Sequence, residues 1–365
     1  MPATAIRRRG RPFETRPQEA RGAGRRAPPP TMPVMLDLTT IQGPLADLLA
    51  RQLEEVTVIF ERQLASELSA VNGLCMHIEQ YRGKMLRPTL VMLSGLTAAG
   101  EPCDGAALTD KHRTVAAVVE LIHMATLVHD DVLDEAEIRR RGATVNQLWG
   151  NEAAVMLGDY LISNSFHLCS TLGDPSINVA LGEVTNTLCE GELAQLHHRD
   201  DYGLDEQTYY EIIRRKTASL IGECCRLGAR LADADRAMIR SLHEVGLALG
   251  VAFQIQDDLL DLIGRQEVVG KSLGKDLHKG KLTLPVIRHL TAASQHERGE
   301  ALEMIVGGDA AALRSCLRES GAVDYTRSVA QRSVDEAKAQ LAVLPASAAR
   351  DLFEALAESV ISRTH

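Results

Sequence analysis

No stretch of the 365-residue chain approaches the roughly 18 consecutive apolar residues that a membrane span needs. Any membrane contact is therefore peripheral. There is no Cys-x-x-Cys pair: the seven cysteines (Cys75, Cys103, Cys169, Cys189, Cys224, Cys225 and Cys316) are odd in number and scattered. That usage indicates neither a disulfide framework nor a zinc site, and it fits reduced thiols in a cytoplasmic compartment. Alternating strand patterns are scarce, and no repeat of about 20–50 residues marks a solenoid. Phe, Tyr and Trp are absent from Arg87 through to Asp130.

Hydrophobic residues make up 45% of the chain, enough to bury a substantial core. The net charge is −9, but the first 31 residues run the other way, with eight Arg, two acidic residues (Glu14 and Glu19) and Pro-Pro-Pro at 28–30. An Arg/Pro-rich extension over 1–35 is expected to be disordered. Its purpose stays open between a targeting segment, a nucleic-acid tether and a true start at Met32 or Met35. The +6 of this arm leaves −15 on the remainder. Such an acidic body argues against nucleic acid as a partner and suits a protein that concentrates metal cations.

Apolar residues recur at three- and four-residue spacing over 44–71, 114–138, 151–171, 176–197, 206–231, 234–263 and 282–292. Turn signals separate segments at Gly100-Glu101-Pro102, Gly173-Asp174-Pro175 and Gly307-Gly308-Asp309. The expectation is a single all-α domain over 36–365.

One short pattern recurs: DDxxD, at Asp130, Asp131 and Asp134, and again at Asp257, Asp258 and Asp261. On a helix, positions i and i+4 share a face about 6 Å apart, so Asp130 and Asp134 project together, as do Asp257 and Asp261. A single copy reads as a solvated, salt-paired surface. The second copy sits among Phe253, Ile255, Leu259, Leu260, Leu262 and Ile263, where uncompensated carboxylates are costly unless they bind cations. Oxygen donors without clustered imidazole or thiolate favour magnesium, which borrows phosphate oxygens from a substrate. Cations supply the complement: Lys84 and Arg87 in RGKMLRP, Arg139 and Arg140 after the first motif, Lys216 in KTASL, and Lys271, Lys275, Lys279 and Lys281 in GKSLGKDLHKGKLTLP. Two acidic faces with several cationic clusters point to one or two diphosphate substrates.

The stretches GKMLRP, ELIHMATLVHDDVLDEAEIRRRG, WGNEAAVMLGDYL, CEGELAQL, KTASL, FQIQDDLLDL and GKSLGKDLHKGKLTLP, in that order over most of residues 80–290, resemble the trans-isoprenyl diphosphate synthases. The likeness is greatest to the long-chain polyprenyl members. It implies a bundle of mostly antiparallel helices around a deep central cavity, usually a homodimer, with the two aspartate-rich helices facing across the mouth. By the same resemblance Asp130, Asp131, Asp134, Asp257, Asp258 and Asp261 are magnesium ligands, with about three ions present when substrate is bound. Asp130, Asp134, Asp257 and Lys216 carry catalysis. Arg139, Lys216, Thr217, Gln254, Lys271 and Lys281 match contacts to the allylic diphosphate, and Lys84, Arg87, His123 and Arg140 match those to isopentenyl diphosphate. His123 stands seven positions before Asp130, which is about 20° in projection and roughly 10 Å along the axis.

The implied reaction is a magnesium-dependent, head-to-tail prenyl transfer that adds an isoprene unit to an allylic diphosphate, for a long-chain quinone side chain. Ala125, five residues before Asp130, occupies the family's gate against chain growth, and an Ala there leaves the floor open. Arg141 departs from the Gly that commonly follows the Arg pair. GRQEVVGKS resembles a phosphate-binding loop, but five residues separate Gly264 from Gly270 where the pattern wants four. His197, His198, Asp200 and Asp201 read as solvated residues ending a helix rather than a transition-metal group. The rivals are a shorter-chain farnesyl or geranylgeranyl diphosphate synthase, and a noncatalytic subunit of a heteromeric enzyme, which degraded acidic motifs would signal.

Overall fold

The computed structural model describes residues 43–140, 142–263 and 274–362. The 1–35 arm, Arg141, Lys271 and the GRQEVVGKS stretch lie outside the described residues. In chain order, α1 (Pro44–Leu64), α2 (Ser69–Ile78), a 3-10 turn (Glu79–Tyr81), α3 (Leu86–Ala99) and α4 (Asp110–Leu133) lead to a two-residue hairpin, β1 (Ile138–Arg139) with β2 (Gly142–Ala143). Next come α5 (Val145–Trp149), α6 (Asn151–Ser170), α7 (Pro175–His197) and α8 (Glu206–Ile213), which passes through a π turn (Arg214–Ala218) into α9 (Ser219–Leu231). The chain continues as α10 (Arg236–Ile263), α11 (Lys275–His278), α12 (Leu284–Ala292), α13 (Gln295–Val306), α14 (Ala310–Glu319), α15 (Ala322–Ala342) and α16 (Ala348–Ser362). This is an all-α bundle. Among the described residues no helix is long and apolar enough to cross a membrane.

Burial explains which helices are central. Every residue from Pro88 to Thr97 of α3 and from Val115 to Ile122 of α4 is buried, the signature of helices covered on all sides. Helix α4 packs on α6 and α3, α3 on α9, and α10 on both α9 and α15. A second cluster, built on Ile255, Leu259 and Leu262 of α10 with Tyr209, Leu284 and Ile287, supports the half of α10 that carries the second acidic motif.

Two expected helices end early. The 44–71 segment breaks after Leu64, where Ser66 N donates to Asn72 Oδ1 (2.8 Å) and Asn72 Nδ2 donates to Ser66 O (2.6 Å), a local exchange that competes with the helix. The 114–138 segment stops at Leu133. Glu135 and Arg140 adopt left-handed φ near +47°, which turns the chain back and sets Arg139 and Arg140 on a hairpin instead of a helix.

Candidate active site

In both acidic motifs the middle aspartate is turned from the other two, about 100° round the helix from the first and about 60° from the last. Asp131 is buried, and Arg139 Nε donates to its two oxygens at 2.9 and 3.0 Å while Nη2 lies 2.9 Å from Oδ1. Asp258 is buried too: Tyr209 Oη donates to Oδ2 at 2.7 Å and Gln254 Nε2 to Oδ1 at 2.8 Å. Asp131 and Asp258, expected among the metal ligands, and Arg139, expected at the allylic diphosphate, thus rest on protein partners in this structure. The three groups are committed to holding α4, the hairpin, α8 and α10 together. Burial first, then Asp276, pushes the Asp258 carboxyl up to about 8, with Tyr209 and Gln254 opposing. Tyr209→Phe removes one of the two donors, so unfolding stability is expected to fall by about 1–2 kcal/mol, read from the denaturant midpoint. An unchanged midpoint would contradict the structural role.

Asp130 and Asp134, both half-buried, form the other face of the first motif. Burial raises the Asp130 carboxyl above the usual range, opposed by Lys216 and reinforced by Glu192 and Asp134. Lys216 stands in the π turn, and its Nζ pairs with Glu192 and donates to Gln195 at 2.8 Å. Burial lowers this ammonium's pKa, but Asp130, Glu192 and Asp134 together outweigh it and hold it above its ordinary value. Close helix approach makes the contact possible: a Cβ on Gly191 would stand 2.5 Å from the Lys216 backbone N, and one on Gly250 would strike Ala218. An extra residue in the turn, the usual form of a π bulge, turns Lys216 toward the first motif and Thr217 toward the second. Thr217 Oγ1 donates to Gln254 Oε1 at 2.7 Å, one turn before Asp258.

A second bridge joins the motifs. Asp276 N donates to Asp261 Oδ2 at 3.2 Å, Lys281 N to Asp276 O at 2.9 Å, and Lys281 Nζ to the oxygens of Asp134 at 2.7 and 2.8 Å. Asp257 is half-buried and within electrostatic reach of Arg87. Thus Asp130, Asp134, Lys216, Thr217, Gln254, Lys281 and Asp261 meet in one region. No three acidic, His or Cys side chains converge on one point among the described residues.

A second cationic group, from α3 and the hairpin, faces the middle of α4. Arg87, Arg140 and Arg82 lie within electrostatic reach of the buried Glu120, and Arg87 and Arg140 also reach His123 of α4. Arg140 rests on Gly83, where a Cβ would stand 2.6 Å from Nη2, next to the exposed Lys84. Burial, followed by Arg87, Arg139 and Arg140, depresses the His123 imidazole well below its usual range. Ala125 is fully buried, as are Leu121, Ile122, Met124 and Leu161. Of the suspected decoys, His198 Nδ1 lies 2.8 Å from Asp201 Oδ2 in the turn after α7.

The sequence reading did not single out Glu192, Gln195, Glu120, Arg199, Tyr209 or Asp276. Glu192 and Gln195 belong to CEGELAQL, where acid and amide at i and i+3 on an apolar helix were the available signal. The others reach the site from distant segments.

The Polyprenyl synthetase family matches residues 69–319. The chain belongs to that family of prenyltransferases. It is 36% identical to heptaprenyl diphosphate synthase component 2 of Geobacillus stearothermophilus over 86% of this chain and 95% of that one. Against geranylgeranyl pyrophosphate synthase of Geoglobus acetivorans the identity is 35%, covering 79% of this chain and 89% of the relative. The solved polyprenyl synthase of Caulobacter crescentus CB15, complexed with calcium and isoprenyl diphosphate, superposes with a TM-score of 0.81 at 33% identity, covering 88% of this chain and 98% of that one. The family, the all-α isoprenoid synthase fold and prenyltransferase chemistry follow from these matches.

Proposed function

We propose that residues 36–365 act as one catalytic unit, as a homodimer, that condenses an allylic prenyl diphosphate with isopentenyl diphosphate using magnesium, giving a longer all-trans polyprenyl diphosphate. The observation that carries this reading is the pairing of two bridged carboxylate faces with a second cationic group, Arg87 of α3 and Arg140 of the hairpin, gathered beside α4. A hard divalent cation fits the donors: oxygens only, paired on one helical face per motif, with no preassembled group of three among the described residues. Substrate phosphate must complete such a coordination shell, as magnesium prefers. The Caulobacter relative, holding calcium and isoprenyl diphosphate, agrees. When bound, magnesium supplies neutralisation of the charge that builds on a departing diphosphate.

The chain's own groups bind and orient. Asp130, Asp134, Asp257 and Asp261 hold the metal; Lys216, Thr217, Gln254 and Lys281, with Lys271 assigned alongside, hold the allylic diphosphate. Lys84, Arg87, Arg140 and His123 hold isopentenyl diphosphate. The depressed His123 imidazole is neutral near pH 7 and serves as a hydrogen-bonding group, not an acid. Ionisation of the allylic C–O bond gives a carbocation and pyrophosphate, stabilised by Lys216 and its neighbours. The isopentenyl double bond attacks the cation, and the proton lost passes to pyrophosphate. Fully buried apolar residues on α4 and α6 keep water from the cation.

Relatives at 36% and 35% identity bear names of different product lengths, so identity does not set the length. Ala125 and the aromatic-free run from Arg87 to Asp130 support a long product. Purified protein given farnesyl diphosphate, labelled isopentenyl diphosphate and magnesium is expected to form products of about thirty carbons or more, by family analogy, and none with EDTA. No elongation overturns the enzyme reading for the chain acting alone, and products ending at about fifteen or twenty carbons overturn only the length. Gly83→Val, which displaces Arg140, is expected to raise KM for isopentenyl diphosphate about tenfold with kcat little changed. An unaltered KM contradicts the placement of Arg140.

A further inference from the structure

Two cations assigned above to diphosphate rest on acids here: Lys216 on Glu192, and Lys281 on Asp134 at 2.7 Å. A third, Arg199, has no part in that assignment. It stands just after α7, and its Nη2 donates to Asp134 Oδ1 and to Leu133 O, both at 3.2 Å. Among the described residues its buried Nε has no hydrogen-bond partner. One guanidinium thereby grips the last turn of α4 through a backbone carbonyl and a carboxylate together.

The backbones that carry the two cations are joined. Asp200 N donates to Gly280 O at 2.9 Å, between the residues adjacent to Arg199 and Lys281. Gly280 has φ +69°, and a Cβ there would strike the Asp200 carboxylate, so the junction requires glycine. Arg199 and Lys281 therefore reach Asp134 as one linked unit. Lys281 is 7% exposed, and unit charges about 4 Å apart interact strongly where water is scarce. A divalent cation arriving alone meets two positive charges and a carboxylate already engaged. A diphosphate changes this, because it offers both cations richer acceptors, including one for the unpartnered Arg199 Nε.

Resting on the metal and diphosphate reading above, we propose that Arg199 is a positioning residue which, with Lys281, clamps Asp134 until a diphosphate draws the two cations away, so that divalent cation and diphosphate bind together. Coupling of this kind is reciprocal: whatever factor diphosphate adds to metal affinity, metal adds to diphosphate affinity.

Manganese, followed by electron paramagnetic resonance with and without inorganic pyrophosphate, tests the clamp without turnover. Arg199→Met is expected to bind manganese alone about tenfold more tightly than wild type, with pyrophosphate adding correspondingly less. Arg199→Lys keeps the charge and stays near wild type. A merely structural role for Arg199 predicts weaker binding, never tighter. Lys281→Met tests the same clamp from its other side and is expected to raise manganese affinity likewise, should Arg199→Met fail to fold. Unchanged or weakened manganese affinity in the folded variants, with wild-type binding intact, overturns the clamp. No binding of manganese with pyrophosphate to wild type overturns the underlying reading as well.

Discussion

Asp130→Asn is expected to lower kcat at least about a thousandfold, the scale set by removing a group that acts only on transition-state charge, while circular dichroism stays native. The substitution keeps the shape and removes only the charge. In the free protein that charge is costly, since burial, Glu192 and Asp134 all disfavour it and only Lys216 and Arg139 among the near groups offset it. Neutralising it should therefore leave stability unchanged or slightly improved. A carboxylate kept ionisable at such a position stabilises something other than the fold. Asp131→Asn is the contrast, because it weakens the Arg139 fork inside the protein and should reduce stability along with activity. If Asp130→Asn turns over at wild-type rate with excess magnesium, Asp130 holds no metal.

Ala125→Phe is expected to shorten the product while leaving the first condensations active. Ala125 is 0% exposed on a helix whose neighbouring apolar side chains are also fully buried, so the added ring must take its space from something. In a packed interface, overpacking costs about 1–3 kcal/mol. Along the path of the growing chain the ring instead occupies room meant for prenyl units, and stability changes little. Chromatography of dephosphorylated products read beside a thermal melt separates the two. A lower Tm with product length unchanged places Ala125 in the packed core and removes it as a gate.

The helices and the two acidic faces were legible because both rest on periodicity: apolar residues at three and four, carboxylates at i and i+4. The same geometry held information left unused, since the middle aspartate of each DDxxD is turned about 100° from the first and about 60° from the last and needs its own partner. Those partners, Arg139 and Tyr209, come from a hairpin and a distant helix that no local pattern announces. The run of arginines after Asp134 carries no strand signature, and its turn forms because Arg139 folds back onto Asp131. RRKTA reads as ordinary helix; its π geometry answers to Gly191 and Gly250, which let α7 and α10 close on it. Glu192, Gln195 and Arg199 acquire meaning only when α7 is laid beside Lys216 and the end of α4.

On the proposed mechanism the outer aspartates of both motifs act on one diphosphate through metal. A crystal of the protein with manganese and a non-ionising thiolo analogue of farnesyl diphosphate, read by anomalous scattering, tests it most directly. Metal peaks are expected between the diphosphate and Asp130 with Asp134 on one side and Asp257 on the other, with Asp131 still on Arg139 and Asp258 still on Tyr209. A diphosphate held by Lys216 and Lys281 with no metal between it and those aspartates, or metal on Asp131 or Asp258, would contradict it.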